Sequence, residues 1–578
     1  MVRARDWIVL AAVLAAGLPL SLYGLTARLP GAERTRLVAT EGEIRDLSEA
    51  LVRSREEVYR TYKTPDTIYD DYFERDRGEE VEVRLGGVAK RVKKTKLDSI
   101  RSYLLQPEYT DDALILRALS NISPGSLKLD PHYYQYGGLY LYTIGAAIRL
   151  GGALGAFDLT RDIGRYFLNP DDLGRLYAAP RVVGAAGSAA AALVLFMICF
   201  RFFGPARLGW LTAFFFLICP VVVVFNHQLK PHTFFLPFSL LSIYFSLLAL
   251  KDGRMSRYVL SGVLAGMAAG AVLFGGFAFC SLLAAHGLRE WERRAYRAFW
   301  DRRILFACAA FCAALFLVSP FQILSLPSVL ADARHQAGGD MSVGVFLANL
   351  FGLYFMRFPL ALGWGLWLLC TAGLVHSLVH RDRRTFVLLA TAVPLYVFVC
   401  AIKSPERYAM LAYPLLILLA MRAADSVLSS GNRVRAVVAA LVLCALYTFG
   451  YSAFYDAVLV SGDPKLRAGR WINGNLPAGA SVATAERLVF GYRGYPPLRL
   501  LDYEPVRWGP GLKKKPDYYL AVGYGDRPGN EAPDWGESYR REMMFERDFG
   551  WADRVFRNHF LMHYDLPITV YGLRPGQS

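Results

Sequence analysis

The chain has 578 residues, 54% of them hydrophobic, with 65 Lys and Arg against 49 Asp and Glu and a formal net charge of +16. So large an apolar share excludes a string of ordinary soluble domains, because most of it must face lipid. The positive balance does not mark a nucleic-acid binder either, since many arginines sit in short clusters between apolar segments, where membrane topology places them.

Residues 7–25 are an apolar run behind a basic start, Arg3 and Arg5. The run is long enough to span and no small-residue cleavage site follows, so it is read as a retained anchor with the N-terminus in the cytoplasm. Residues 26–178 form a mixed, charged loop on the other side. It holds a charged helical stretch over 33–62, an acidic pair Asp70-Asp71, a basic run (Lys90, Arg91, Lys93, Lys94, Lys96) and a second acidic pair, Asp111-Asp112, opening an apolar helical segment. Carboxylates there favour the helix N-terminus, so a capping role suits the pair as well as a catalytic one. Residues 132–157 carry Tyr133, Tyr134, Tyr136, Tyr140 and Tyr142, aromatics of the headgroup level. This segment is read as an interfacial helix, because counting it as a span would move every later arginine cluster outside.

Spans are then expected over 7–25, 179–203, 208–225, 233–250, 258–273, 277–286, 304–323, 360–378, 385–402, 408–424 and 436–454. The stretch 258–286 is divided at Phe274-Gly275-Gly276, where paired glycines permit a break. Basic connections at 201–207, 251–257, 289–303, 381–384 and 422–435 lie inside, and the turn 226–232, the loop 324–359, the turn 403–407 and the tail 455–578 lie outside. The chain thus reads as four pieces: an anchor (1–25), an outer loop (26–178), a membrane body (179–454) and an outer tail (455–578). All eight cysteines lie in apolar segments, so no disulfide framework or zinc knuckle is readable.

The outward turns hold the polar residues of interest. Asn226-His227-Gln228-Leu229-Lys230-Pro231-His232 sets three ionisable groups between two apolar helices, where polarity is expensive. Lys403, Glu406 and Arg407 form a second charged turn, and Arg181 opens a span. Each cation alone fits a boundary anchor. Together they suit a lipid phosphate, whose oxygens bind compact cations. In the tail, residues 469–477, 480–483 and 518–522 read as helix, turn and short strands.

Five stretches, Asp111-Asp112-Ala113-Leu114-Ile115-Leu116-Arg117-Ala118-Leu119, the aromatic stretch from Leu129-Asp130-Pro131-His132 to Tyr142, Pro180-Arg181-Val182-Val183-Gly184, Ser319-Pro320-Phe321-Gln322-Ile323-Leu324, and Glu406-Arg407-Tyr408 with Pro414, share one resemblance. Together they resemble the GT-C superfamily of membrane glycosyltransferases, in the branch of protein O-mannosyltransferases and lipid A aminoarabinose transferases. Two departures stand out. His232 occupies a position where relatives usually carry Asp, and the acidic pair lies far from the first span, which makes residues 27–106 an inserted subdomain.

The resemblance implies a polytopic α-helical membrane protein of about eleven transmembrane helices plus interfacial helices, with a small extracytoplasmic α/β domain at the C-terminus. It implies a multi-pass protein of the plasma (inner) membrane that transfers a sugar from a polyprenyl-phosphate donor to a hydroxyl acceptor on the extracytoplasmic face. Asp111 would be the general base with Asp112 beside it, inverting the anomeric centre. Arg181, Lys230, Arg407 and Lys403 would hold the donor phosphate, and His132, Tyr136, His227 and His232 would line the substrate pocket. The two aspartates offer hard oxygen ligands of the kind magnesium or manganese prefer, yet no full ligand set is readable and the cofactor stays open. A transporter or flippase of lipid-linked sugars is the rival from another class, and a polysaccharide polymerase or ligase the rival among enzymes. No internal repeat favours the first, and the early acidic pair weighs against the second.

Overall fold

The computed structural model describes residues 3–61, 79–293, 301–337, 342–402, 405–431, 434–485, 495–508, 512, 514–523, 538–556 and 566–575. The chain divides into two compact units. One comprises Met1–Leu25, Leu119–Ala147 and Pro180–Asp456, and the other Thr26–Ala118, Ile148–Ala179 and Ala457–Ser578.

The first unit is built from apolar helices. Among the described residues of the chain, six helices are long and apolar enough to cross a membrane: Ala4–Leu22, Pro170–Phe203, Val343–Leu362, Arg383–Cys400, Glu406–Ser429 and Val434–Asn475. The pair Ala206–Leu217 and Pro220–Asn226, bent by 55°, makes a seventh if taken as one span. By length and composition, the described residues do not confirm the expected count of eleven. Leu236–Asp252, Met255–Ala271 and Arg302–Val318 run 17 residues each, and Phe279–Glu292 runs 14, short of the roughly 20 that a straight crossing takes. Residues 343–359, expected in the outer loop 324–359, lie in a continuous helical segment, Val343–Leu362, that contains a window of mean hydropathy 1.6. Asn349 and Arg357 interrupt its apolar run in the sequence, while a π-helical turn, Leu353–Arg357, carries the helix through to Gly363.

The expected break after residue 273 is present: Met255–Ala271 ends, Leu273–Ala278 forms a 3-10 turn, and Phe279–Glu292 begins. Gly262 and Gly266 explain how Met255–Ala271 packs on Arg302–Val318, since a Cβ on them would lie 2.3 Å from the Ala307 oxygen and 2.4 Å from the Phe311 oxygen. Small residues four apart let two backbones approach where lipid gives no hydrophobic drive to associate. In the helix Ala412–Ser429 every residue from Ala412 to Met421 is buried. The expected interfacial segment contains Gly138–Ala153, of 16 residues.

The second unit is α/β. A hairpin of β1 (Glu80–Leu85) and β2 (Val88–Lys93) is antiparallel. The tail supplies β3 (Ser481–Thr484), β4 (Glu504–Arg507), β5 (Tyr518–Val522), β6 (Tyr539–Phe545) and β7 (Ile568–Leu573) in the order β4-β3-β5-β7-β6. β3 runs parallel to both β4 and β5, and β7 antiparallel to both β5 and β6. Loop and tail share one core: Leu47, Leu51, Ile100 and Tyr103 pack in a single cluster with Ile472, Val482, Leu520 and Ile568. Beside it Glu108 is ion-paired with Arg28 at 3.2 Å and with Lys465, and Arg28 also meets Asp463 at 3.0 Å.

Candidate functional site

In the first unit the turn after Pro220–Asn226 carries the polar residues singled out above. Cys219-Pro220 starts this short helix, and Asn226 anchors its far end by donating to Ser21 Oγ at 2.8 Å and accepting from Ser188 Oγ at 3.0 Å. The turn is buried throughout: Asn226, His232 and Thr233 are 0% exposed, Lys230 1% and His227 3%. Burying so many polar groups in seven residues is costly, and intramembrane or interfacial polarity of this kind marks function.

The residues fall into two groups. In the first, His232 is ringed by aromatics from separate segments. Phe225 lies 4.8 Å away between ring centroids, Phe274 5.8 Å, Tyr408 6.1 Å and Tyr136 6.3 Å. Arg407 stacks over the Tyr408 ring at 4.8 Å and donates to its hydroxyl at 2.9 Å. Burial first, then the positive charges of Lys230 and Arg407, hold the His232 pKa well below the usual histidine range, so its ring is neutral. Tyr136 is placed by the glycines after it. Gly137 donates to the Ala271 oxygen at 2.9 Å, and Gly138 donates to Ser319 Oγ at 2.7 Å.

In the second group, His227 lies between two carbonyl oxygens, with Nδ1 2.8 Å from Val223 and Nε2 2.7 Å from Tyr23. A neutral ring donates to only one of them, whereas an imidazolium donates to both. Asp456 Oδ1 is 3.9 Å from Nε2, a counter-charge for that form. Burial opposes it and lowers the His227 pKa to about 4, with the charge of Arg181 pulling the same way. Arg181 is itself buried, opens onto the same end of the first helix, and donates to the Leu25 oxygen at 2.8 Å.

Tyr136, Lys230, His232 and Arg407 are thus brought into one neighbourhood, and Arg181 with His227 into a second. His132 is turned outward: its side chain is 59% exposed, its φ is 49°, and its Nδ1 is 3.6 Å from Asp130. Asp111 and Asp112 stand in the first turn of the helix Thr110–Ser120, in the second unit, with Asp112 fully buried. Lys403, like Asp70 and Asp71, lies outside the described residues. Among the described residues, no group of three or more His, Cys, Asp or Glu close enough to hold a metal ion includes Asp111 or Asp112. Sequence reasoning passed over Phe225, Phe274 and Asp456. Asp456 alone left a signal, a lone acid at the end of an apolar helix, Val434–Val460.

Residues 174–324 match the family model described as dolichyl-phosphate-mannose-protein mannosyltransferase. That segment contains Arg181, Lys230, His232 and Ser319, and the match supports the resemblance to the GT-C superfamily of membrane glycosyltransferases. No curated protein sequence matches the chain. Among solved structures, the chain is similar to the archaeal oligosaccharyltransferase AglB from Archaeoglobus fulgidus, in complex with an inhibitory peptide and a dolichol-phosphate. The TM-score is 0.40 at 13% identity, over 64% of this chain and 58% of that one, so the chain spans less than two thirds of that protein's length. It is also similar to ArnT from Cupriavidus metallidurans bound to undecaprenyl phosphate, with a TM-score of 0.39 at 17% identity over 81% of this chain and 73% of that one.

Proposed function

We propose that the chain is a membrane glycosyltransferase that moves a sugar from a polyprenyl-phosphate donor to a hydroxyl acceptor on the extracytoplasmic face. One observation carries this reading. The segment that matches the mannosyltransferase model contains a fully buried lysine and a fully buried neutral histidine in one turn, beside an arginine-bearing aromatic cluster. An anionic lipid headgroup linked to a sugar needs both kinds of surface, cations for the phosphate and ring faces with neutral hydrogen-bonding groups for the sugar.

In this reading Asp111 takes the acceptor hydroxyl's proton as that oxygen attacks the anomeric carbon. The bond from anomeric carbon to phosphate oxygen breaks, and the polyprenyl phosphate leaves with the bonding electrons. Lys230, Arg407 and Arg181 lower the energy of the leaving phosphate, since fixed cations act most strongly where charge grows. Asp112 supports the base, and a single displacement inverts the anomeric configuration.

The test uses membranes containing the chain and a radiolabelled polyprenyl monophosphate sugar. Asp111→Asn is expected to reduce label transfer by about 10²–10⁴-fold. Equal transfer by the two proteins removes Asp111 from the mechanism, and an NMR assignment showing retained configuration removes the direct displacement.

A further inference from the structure

A neutral imidazole carries one hydrogen-bond donor and one acceptor. Both ring nitrogens of His232 are buried and neither bonds any group among the described residues. In and beside the same buried turn, Gln228 Oε1 and Thr233 Oγ1 are likewise without a partner among the described residues, whereas Asn226 is bonded through both ends of its amide. A bare donor and acceptor at the centre of such a turn is the mark of a group that meets a ligand.

The chemistry of that ligand follows from the surroundings. A phosphate offers only acceptors and an ammonium only donors, so neither satisfies both imidazole nitrogens. One hydroxyl meets one nitrogen, as donor or as acceptor, and the several hydroxyls of a sugar can serve both. Lys230 and Arg407 are close enough to depress the protonation of His232, and the same two charges oppose a cationic ligand. The rings of Tyr136, Phe225, Phe274 and Tyr408 meet the imidazole at interplanar angles of 52–86° and surround it with apolar carbon, which suits the C–H groups of a sugar.

We infer that His232 is a specificity-determining residue that reads a hydroxyl of an uncharged glycosyl group inside this aromatic box and discriminates against an amino sugar. The inference rests on the proposed function, because it takes the ligand to be a lipid-linked sugar.

The full-length protein is titrated in detergent with three ligands: undecaprenyl phosphate, an undecaprenyl-phosphate hexose, and an undecaprenyl-phosphate 4-amino-4-deoxypentose. The wild-type protein is expected to bind the hexose donor at least about tenfold more tightly than the amino-sugar donor. His232→Gln, which keeps a donor and an acceptor, retains that order. His232→Leu reduces the hexose donor to the affinity of undecaprenyl phosphate alone, and His232→Asp reverses the order in favour of the amino sugar.

Equal wild-type affinity for the two donors overturns the inference and leaves the proposed function standing, as does unchanged hexose binding by His232→Leu. Failure of all three ligands to bind wild type sinks both readings. Should His232→Leu lose undecaprenyl phosphate as well and so prove misfolded, the Gln and Asp variants decide: equal ordering of the donors by both overturns it.

Discussion

Asp456 and His227 form a pair whose worth rests on the groups around it. Asp456 Oδ1 and Oδ2 are buried and make no hydrogen bond among the described residues, while His227 Nε2 stands 3.9 Å away against the Tyr23 oxygen. Burial keeps His227 neutral, so the two are not an ion pair, and leaving one of two neighbouring buried polar groups without the other costs about 1–3 kcal/mol. Asp456→Leu is therefore expected to lower the thermal midpoint modestly, and the double variant His227→Phe, Asp456→Leu to recover part of the loss. A coupling energy below about 0.5 kcal/mol in that cycle would show the two to be independent. His232 gives a prediction in pH. Its folded pKa lies below the unfolded value of about 6.5, so the unfolded chain takes up a proton that the folded chain refuses. The stability owed to the neutral ring is complete above pH 6.5 and is lost as pH falls below it, by up to about 1.4 kcal/mol per pH unit. Thermal midpoints measured from pH 7.5 down to 5.5 should fall more steeply for wild type than for His232→Gln, and parallel slopes would show that the ring titrates normally.

At the scale of elements, the segment around Tyr136 is held by close backbone contact. A Cβ on Gly137 would lie 2.0 Å from the Gly270 oxygen, nearer than any real contact, while its N–H bonds the Ala271 oxygen. Gly137→Ala must push this segment off the Met255–Ala271 helix, at a cost of about 1–3 kcal/mol. Ser319→Ala removes only the hydroxyl that receives the Gly138 N–H, a loss of about 1 kcal/mol. Both should weaken sugar-donor binding, Gly137→Ala the more; the reverse order would mean that packing at Gly137 does not place Tyr136. Glycine also governed what could be read in advance. Gly275-Gly276 announced the break before Phe279–Glu292 because paired glycines favour non-helical backbone. Val343–Leu362 was missed although it contains a window of mean hydropathy 1.6, since Asn349 and Arg357 interrupt its apolar run, Asn349 within the α-helix Val343–Gly352 and Arg357 within the π-turn that follows. The box around His232 was half legible. His232 and Tyr136 stood out as polar or amphipathic groups in apolar company, but Phe225 and Phe274 are ordinary core residues until the fold sets them beside an imidazole.

On the scale of the whole molecule, the tail's helix and strands were readable from local pattern, whereas the core that its sheet completes was not. Ile472 and Leu520 pack in one cluster with Leu51 and Ile100 across hundreds of residues, and no periodicity within either piece reports a partner that distant. The buried ion cluster tests how firmly loop and tail are joined within the second unit. Glu108 comes from the loop and accepts from Arg28 and Lys465, both nearly buried, with Asp463 of the tail as the second partner of Arg28. Lys465→Ala leaves Glu108 with Arg28, so the carboxylate stays compensated. Glu108→Ala takes the acceptor from two cations at once, and is expected to cost about 3–5 kcal/mol and exceed the Lys465 variant. By contrast, Glu41 and Arg45 pair on the surface, with side chains 70% and 66% exposed, and Glu41→Ala should cost no more than about 0.5 kcal/mol. Limited proteolysis of the full-length protein reads the difference: Glu108→Ala should release a C-terminal fragment fastest, Lys465→Ala more slowly, and Glu41→Ala at the wild-type rate. If Glu108→Ala and Glu41→Ala are cleaved alike, the apolar cluster alone joins loop to tail, and the buried charges contribute nothing to the joint.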